Sequence, residues 1–203
     1  MNTQDSTETR FLLNSVASGQ LTAFEELFER HRAELLRAVE LRFDSQLQAR
    51  ADPSDVVQET HLEAFRRLED FTSRRPMPFR IWLRRTALER LIKLRQRHLK
   101  ASRRSTSREL PLPDQTSILL VHQLCGKGPT ASGELLAKEA AKEVRAALDQ
   151  LPETDREVLV MRYIEGLSNQ EIGYTLELDP ATVSKRHGRA LLRLERALLH
   201  EQD

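Results

Sequence analysis

Apolar positions along this chain recur every three or four residues, the period of a helix, and nowhere alternate for long enough to make a strand. The clearest stripe is Phe24, Leu27, Phe28, His31, Leu35, Leu36 and Val39. Ahead of it, Thr22-Ala-Phe-Glu25 predicts a capping box, with Thr22 as the N-cap. Asp52-Pro53 predicts another helix start, with aspartate as N-cap, proline in the first turn and Asp55 adding favourable charge there. Val56, Val57, Thr60, Ala64, Phe65 and Leu68 are then expected to face inward. The stretch Phe71-Thr-Ser-Arg-Arg-Pro-Met-Pro78 reads as a break, because its prolines oppose continuation. A further helix starts near Phe79 and carries Trp82, Leu83, Ala87, Leu91 and Leu94 on one stripe, with Trp82 assigned to the core and a stacking platform for unpaired bases as the alternative.

Periodicity fades from about Ala101 to Gly133, where Ser, Thr, Gly and Pro dominate, and the composition predicts a flexible tether. It returns with Leu135, Leu136, Ala140, Val144, Ala147, Leu148 and Leu151, a helix stopped at Pro152. Thr154-Asp-Arg-Glu157 and Ser168-Asn-Gln-Glu171 both read as capping boxes, the first opening a helix that ends at Gly166. Asp179-Pro180 opens the last helix, which runs to about Leu199. The expected fold class is therefore all-α: two small helical domains, 1–100 and 134–203, joined by a linker over 101–133.

Residues 168 to 195 carry the strongest chemical signal. A short capped helix with Ile172 and Leu176, a tight connection with Leu178, and a second capped helix with Val183, Leu191 and Leu194 make a helix-turn-helix pattern. Gly173 is small where the helices must cross. In that motif the second helix offers its N-terminal turns to the DNA major groove. Ala181, Thr182, Ser184, Lys185, Arg186 and Arg189 are the candidates to meet bases or phosphates there, while Asp179 caps the helix. The plainer alternative is a helical hairpin with a solvated basic face.

Charge sharpens the picture. Between Thr72 and Arg108 stand thirteen Lys or Arg against one acid, Glu89, whereas between Glu40 and Asp70 eight acids face four arginines. The net charge of +1 hides that asymmetry. The basic stretch suits phosphates, and Thr72, Ser73, Arg74 and Arg75 in the expected loop suit an extruded base or a single strand. Asp55, Gln58, Glu59 and Glu63 share one helix face, suited to docking a basic protein.

The rest is exclusion. No run of about 18 apolar residues predicts a membrane span, the N-terminus lacks the layout of a secretory signal, and the single Cys125 cannot form an internal disulfide. A reducing, cytoplasmic setting is expected. His98 and the other histidines lack metal-ligand spacing, and no cofactor, metal site or catalytic residue is assigned.

From about Leu13 to Leu199 the sequence resembles the sigma-70 family of bacterial transcription-initiation factors, in its compact extracytoplasmic-function (ECF) type. Asp52-Pro-Ser-Asp-Val-Val-Gln-Glu-Thr-His-Leu-Glu-Ala-Phe65 resembles the family segment that docks on the polymerase clamp, which implies Asp55, Gln58 and Glu59 as polymerase contacts. Phe79 to Arg97 resembles the helix that reads the −10 element, which implies Thr72, Ser73, Arg74, Arg75, Arg80, Arg84, Arg85 and Arg90 as DNA contacts. Leu151-Pro-Glu-Thr-Asp-Arg-Glu-Val-Leu, followed by the helix-turn-helix, resembles the −35 domain. The implied partners are core RNA polymerase (clamp and flap) and promoter DNA, with room for an anti-sigma factor. The resemblance implies no catalysis. Two departures stand out: Glu89 lies where the family often has Asn, and Glu177 lies where such turns often have Gly, which predicts a turn closed without a left-handed glycine. The rival reading is a free-standing helix-turn-helix regulator binding operators as a dimer; a nuclease or recombinase lacks the clustered carboxylates it would need.

Overall fold

The computed structural model of the chain describes residues 4–43, 45–101, 116, 119–120, 143–144, 146–148 and 150–200. The expected linker over 101–133 lies almost wholly outside the described residues, as do Cys125 and the start of the helix expected after it. Every regular element among the described residues is helical. The chain divides into two compact units, the first taking in Met1–Ser105 and the second most of Thr106–Asp203.

The first unit is built from α1 (Thr7–Ala17), α2 (Thr22–Glu40), a single turn α3 (Ser45–Gln48), α4 (Pro53–Arg74) and α5 (Phe79–Ala101). Leu13 of α1, Phe24 and Leu27 of α2, Ala64 of α4 and Phe79 and Leu83 of α5 are buried together. Trp82 belongs to that core as the stripe implied, 5% exposed and stacked on Phe71 at 4.4 Å between ring centroids. Helix α1 was not read from the pattern; Ser6 caps it through the Thr9 N–H, and Leu12, Leu13 and Val16 are its buried side.

Three expectations in this unit need correction. Thr22 is not an N-cap: α2 has no side-chain cap. The chain winds into α2 through a tight turn at Gly19 (φ 93°), and the carbonyls of Gln20 and Leu21 take the N–H groups of Ala23 and Phe24. Phe65 does not point into the core; it is 43% exposed and leans on Phe24 from the rim, 5.4 Å between ring centroids. The break is shorter than Phe71 to Pro78, because α4 continues to Arg74. Pro76 bars only the residue before it from right-handed helix, and Arg75 takes a left-handed cap (φ 40°) with its N–H bonded to the Phe71 carbonyl at 2.7 Å.

The second unit holds α6 (Glu153–Leu159), a π-helical turn continuing it (Val160–Ile164), α7 (Asn169–Leu176) up to Gly173 and α8 (Pro180–His200). Leu148 and Leu151 before α6, Val158 and Met161 along it, Ile172 of α7 and Val183, Ala190 and Leu194 of α8 are buried. Thr154 does not cap α6. The helix already starts at Glu153 after Pro152, whose carbonyl takes the N–H groups of Asp155 and Arg156 at 2.9 and 3.1 Å, so Thr154 lies inside the first turn. The stretch to Gly166 is not one α-helix either: from Val160 it widens to π pitch, closed by the Glu165 N–H on the Val160 carbonyl at 3.1 Å.

Candidate nucleic-acid interface

The crossing of α7 and α8 is built from three local devices. Ser168 and Glu171 form the expected capping box: Ser168 Oγ accepts the Glu171 N–H at 3.3 Å, and the Ser168 N–H donates to Glu171 Oε2 at 2.8 Å. Gly173 meets the connection so closely that a Cβ there would lie 2.5 Å from the Leu178 carbonyl oxygen. The turn does adopt the left-handed conformation, at Glu177 (φ 57°), and the Leu178 N–H closes it on the Gly173 carbonyl at 2.9 Å. A side chain therefore occupies the backbone position that glycine would hold without strain.

Asp179 caps α8: its Oδ1 accepts the Thr182 N–H at 2.8 Å, and its other oxygen takes the Thr182 hydroxyl. Those two bonds, hydroxyl first, hold the Asp179 carboxyl below the usual range. Val183 is fully buried in the angle, while Leu178 is half-buried. With that side turned in, Ala181, Ser184, Lys185 and Arg189 are exposed and Thr182 half-exposed. Arg186 differs from its neighbours. Its side chain is 31% exposed and its Nη1 lies 3.6 Å from Asp155 Oδ1, on the inner side of the unit. His187 also turns inward, 3.1 Å from the Tyr163 hydroxyl; burial, then the nearby Arg162 charge, lowers its pKa.

Among its described residues, the basic stretch of the first unit is not an open cationic face. Arg84 is buried, its side chain 5% exposed, and pairs with Glu34 of α2 at 3.3 Å; Arg80 lies 3.7 Å from the same carboxylate. Arg90 pairs with Glu63 at 3.3 Å, Arg97 with Glu59 at 3.9 Å, and Glu89 takes both Arg85 and Arg67 at 3.3 and 3.2 Å. The acidic helix is thus partly consumed by the basic one, and Glu59 and Glu63 are not a free docking row. Gln58 is exposed, and Asp55 is exposed while closing a capping box on the Asp52 N–H at 3.0 Å.

Thr72, Ser73 and Arg74 sit on the last turn of α4 and not in a cradle-like loop. Thr72 and Ser73 donate to the Glu69 and Asp70 carbonyls at 3.1 and 2.9 Å, and Arg74 Nε donates to Asp70 Oδ1 at 2.8 Å. Arg75 donates to Asn14 Oδ1 at 2.6 Å, yet Ser73, Arg74 and Arg75 remain exposed. Two contributors went unread in the sequence. Asp5 caps α5 from 74 residues away, taking the Phe79 N–H at 2.8 Å; burial raises its pKa against that hydrogen bond and the charges of Arg80, Arg75 and Arg10. Glu34 is the second. No local signal marks either one, since their partners are set by tertiary packing. Among the described residues no group of three or more His, Cys, Asp or Glu is placed to hold a metal, and no helix is long and apolar enough to cross a membrane.

Comparison with known proteins assigns both regions. The family described as Sigma-70 region 2 matches residues 27–103, and Sigma-70, region 4 matches residues 141–194. The chain is similar to the RNA polymerase sigma factor CnrH of Cupriavidus metallidurans, 31% identical over 198 residues that cover 98% of this chain and 97% of that one. It is also similar to the RNA polymerase sigma-H factor of Pseudomonas aeruginosa, 30% identical and covering 92% of each chain. Among solved structures, CnrH in complex with the cytosolic domain of CnrY aligns with a TM-score of 0.58 and 28% identity, covering 97% of this chain and 99% of that one. RpoE of Bartonella quintana, solved with the anti-sigma factor NepR, shares the fold at a TM-score of 0.53 and 18% identity, covering 86% of this chain and 96% of that one.

Proposed function

Because this chain belongs to the sigma-70 family of RNA polymerase sigma factors, in its ECF type, we propose that its two helical units each serve one half of a promoter. As a sigma factor it directs core RNA polymerase to specific promoters and supports initiation. The relatives that span its length carry that name, which favours this reading over an operator-binding dimer.

In the second unit, the outward turns of α8 read the −35 element in the major groove. Lys185 and Arg189 donate to guanine or phosphate, and Ser184, Thr182 and Ala181 contact base edges and thymine methyls. Arg186 supports them from the inner side. In the first unit, the −10 strand meets Ser73, Arg74 and Arg75 at the α4–α5 junction, with Thr72, Arg80, Arg85 and Arg90 along the flank. Arg84, buried against Glu34, holds α5 in place. Asp55, Gln58 and Glu59 face the polymerase clamp, and the second unit meets the flap.

The domain division is proposed as 1–100, 101–133 and 134–203. The chain performs no catalysis of its own and works in the cytoplasm, where core polymerase is. An anti-sigma partner completes the proposal, since CnrH was solved with a protein bound. The observation that carries the reading is the α7–α8 crossing at Gly173, which buries Val183 and leaves Ser184, Lys185 and Arg189 outward. The test is reconstitution with core polymerase and run-off transcription across a promoter library. Specific initiation is expected at promoters with shared −10 and −35 sequences. Initiation no better than core alone refutes the proposal.

A further inference from the structure

The inner charged row of α8 converges on one buried carboxylate. Arg193 Nη1 donates to Asp155 Oδ2 at 2.5 Å, and Arg186 Nη1 lies 3.6 Å from Asp155 Oδ1. The Asp155 side chain is 3% exposed, whereas those of Arg193 and Arg186 are 46% and 31% exposed. Asp155 stands in the first turn of α6, outside the α7–α8 motif. The two arginines are seven residues apart, two helical turns, and so lie on one side of α8.

Apolar contacts such as Val183 and Leu194 interdigitate with the unit and already oppose both separation and rotation of α8. A buried carboxylate that takes a hydrogen bond from Arg193 and an ion-pair contact from Arg186, both on one helix, adds a charged constraint on rotation and sliding of α8. The same pairing governs charge. Arg186 is adjacent to Lys185 and three residues before Arg189, so an unrestrained Arg186 side chain reaches the phosphates that flank a groove-bound helix. Phosphate contacts add affinity for any sequence; base contacts carry the discrimination. Withdrawing the arginines would leave the buried Asp155 charge uncompensated, so the pairing is costly to open.

We propose that Asp155 is a positioning residue that determines −35 specificity: it fixes the rotation of α8 and withholds Arg186 and Arg193 from non-specific phosphate contacts. The proposal rests on α8 reading the −35 element, and the experiment separates the two. Holoenzyme made from the full chain and core polymerase selects promoters from a library randomised at both elements, and its affinity for a selected and a scrambled −35 duplex is followed against salt.

Wild-type protein is expected to select at both elements. Asp155→Asn is expected to lose about tenfold in −35 discrimination, an effect of the size of one mismatched base pair. Its salt slope should steepen by about 1 to 2 as freed arginines reach phosphates, and selection at −10 should persist. Asp155→Glu, which keeps the charge, should restore discrimination. Unchanged −35 selection and slope in a folded Asp155→Asn protein overturn the proposal, as does an equal loss at −10 and −35, which marks a merely stabilising role. Where Asp155→Asn fails to fold, Arg193→Gln decides: about threefold weaker −35 discrimination is expected, on the scale of a fraction of one mismatch, and wild-type discrimination overturns the proposal. Wild-type holoenzyme without any −35 preference sinks the reading of α8 itself.

Discussion

Gly173 is where a single atom decides the geometry of the second unit. A methyl group there would sit 2.5 Å from the Leu178 carbonyl oxygen, which is backbone and cannot rotate away. Gly173→Ala should therefore destabilise the unit by about 2 kcal/mol, the usual cost of overpacking, and blunt −35 selection; thermal unfolding and promoter selection check both. Glu177 makes the opposite case. Its left-handed backbone (φ 57°) costs a side-chain-bearing residue about 1–2 kcal/mol, while glycine adopts it freely. Glu177→Gly should raise the melting temperature of the unit, an effect held to about 0.5 kcal/mol by the flexibility that glycine adds to the unfolded chain. The small residue at the crossing was legible because an all-helical pattern leaves few reasons for a buried glycine. The left-handed turn was not, because glutamate is not a residue that marks a positive φ, although it stands where such turns often have Gly.

At the scale of elements, caps decided which boundaries could be read. Ser168 with Glu171, and Asp52 and Asp179 ahead of their prolines, are set by atoms within three residues, and all three stand as expected. Thr22 and Thr154 match the same motif but lie within helices whose starts are set by a glycine turn and by a proline carbonyl. Ser168→Ala should cost about 1 kcal/mol of the second unit's stability, measured by denaturant unfolding. Hydrogen bonds depress the Asp52 and Asp179 carboxyls in the folded chain: from Ser54 side chain and backbone at Asp52, from Thr182 at Asp179. Their capping contribution is thus fully present above the unfolded carboxylate value of about 4 and is lost as pH falls through the lower folded values. Helicity followed by circular dichroism should decline over that acid range. The decline should be shallower in an Asp52→Asn, Asp179→Asn double variant, whose caps do not titrate.

For the molecule as a whole, the charge asymmetry seen along the chain is partly cancelled in space among the described residues of the first unit. Glu34, Glu59, Glu63 and Glu89 neutralise arginines of α5, and Glu89 also holds Arg67 of α4. Promoter binding should therefore depend on salt less steeply than thirteen basic residues would imply. Glu89→Gln should release Arg67 and Arg85 from this carboxylate and steepen the slope by about 1; fluorescence anisotropy of holoenzyme on promoter duplex across a salt series checks it. An unchanged slope would show that these pairs do not compete with DNA.

What the sequence determined by itself was much of what depends on near neighbours: an all-helical fold, most helix starts, the helix-turn-helix with Gly173 at its crossing, and the family. Periodicity and caps act over a few residues, so the letters record them. Tertiary structure alone decided which charges are available. Arg84 meets Glu34 across 50 residues, Arg193 meets Asp155 across 38, and Asp5 caps α5 across 74. A charged side chain reads the same in sequence whether it faces water, DNA or a carboxylate. Only the fold brings its partner to contact distance, where the two charges interact.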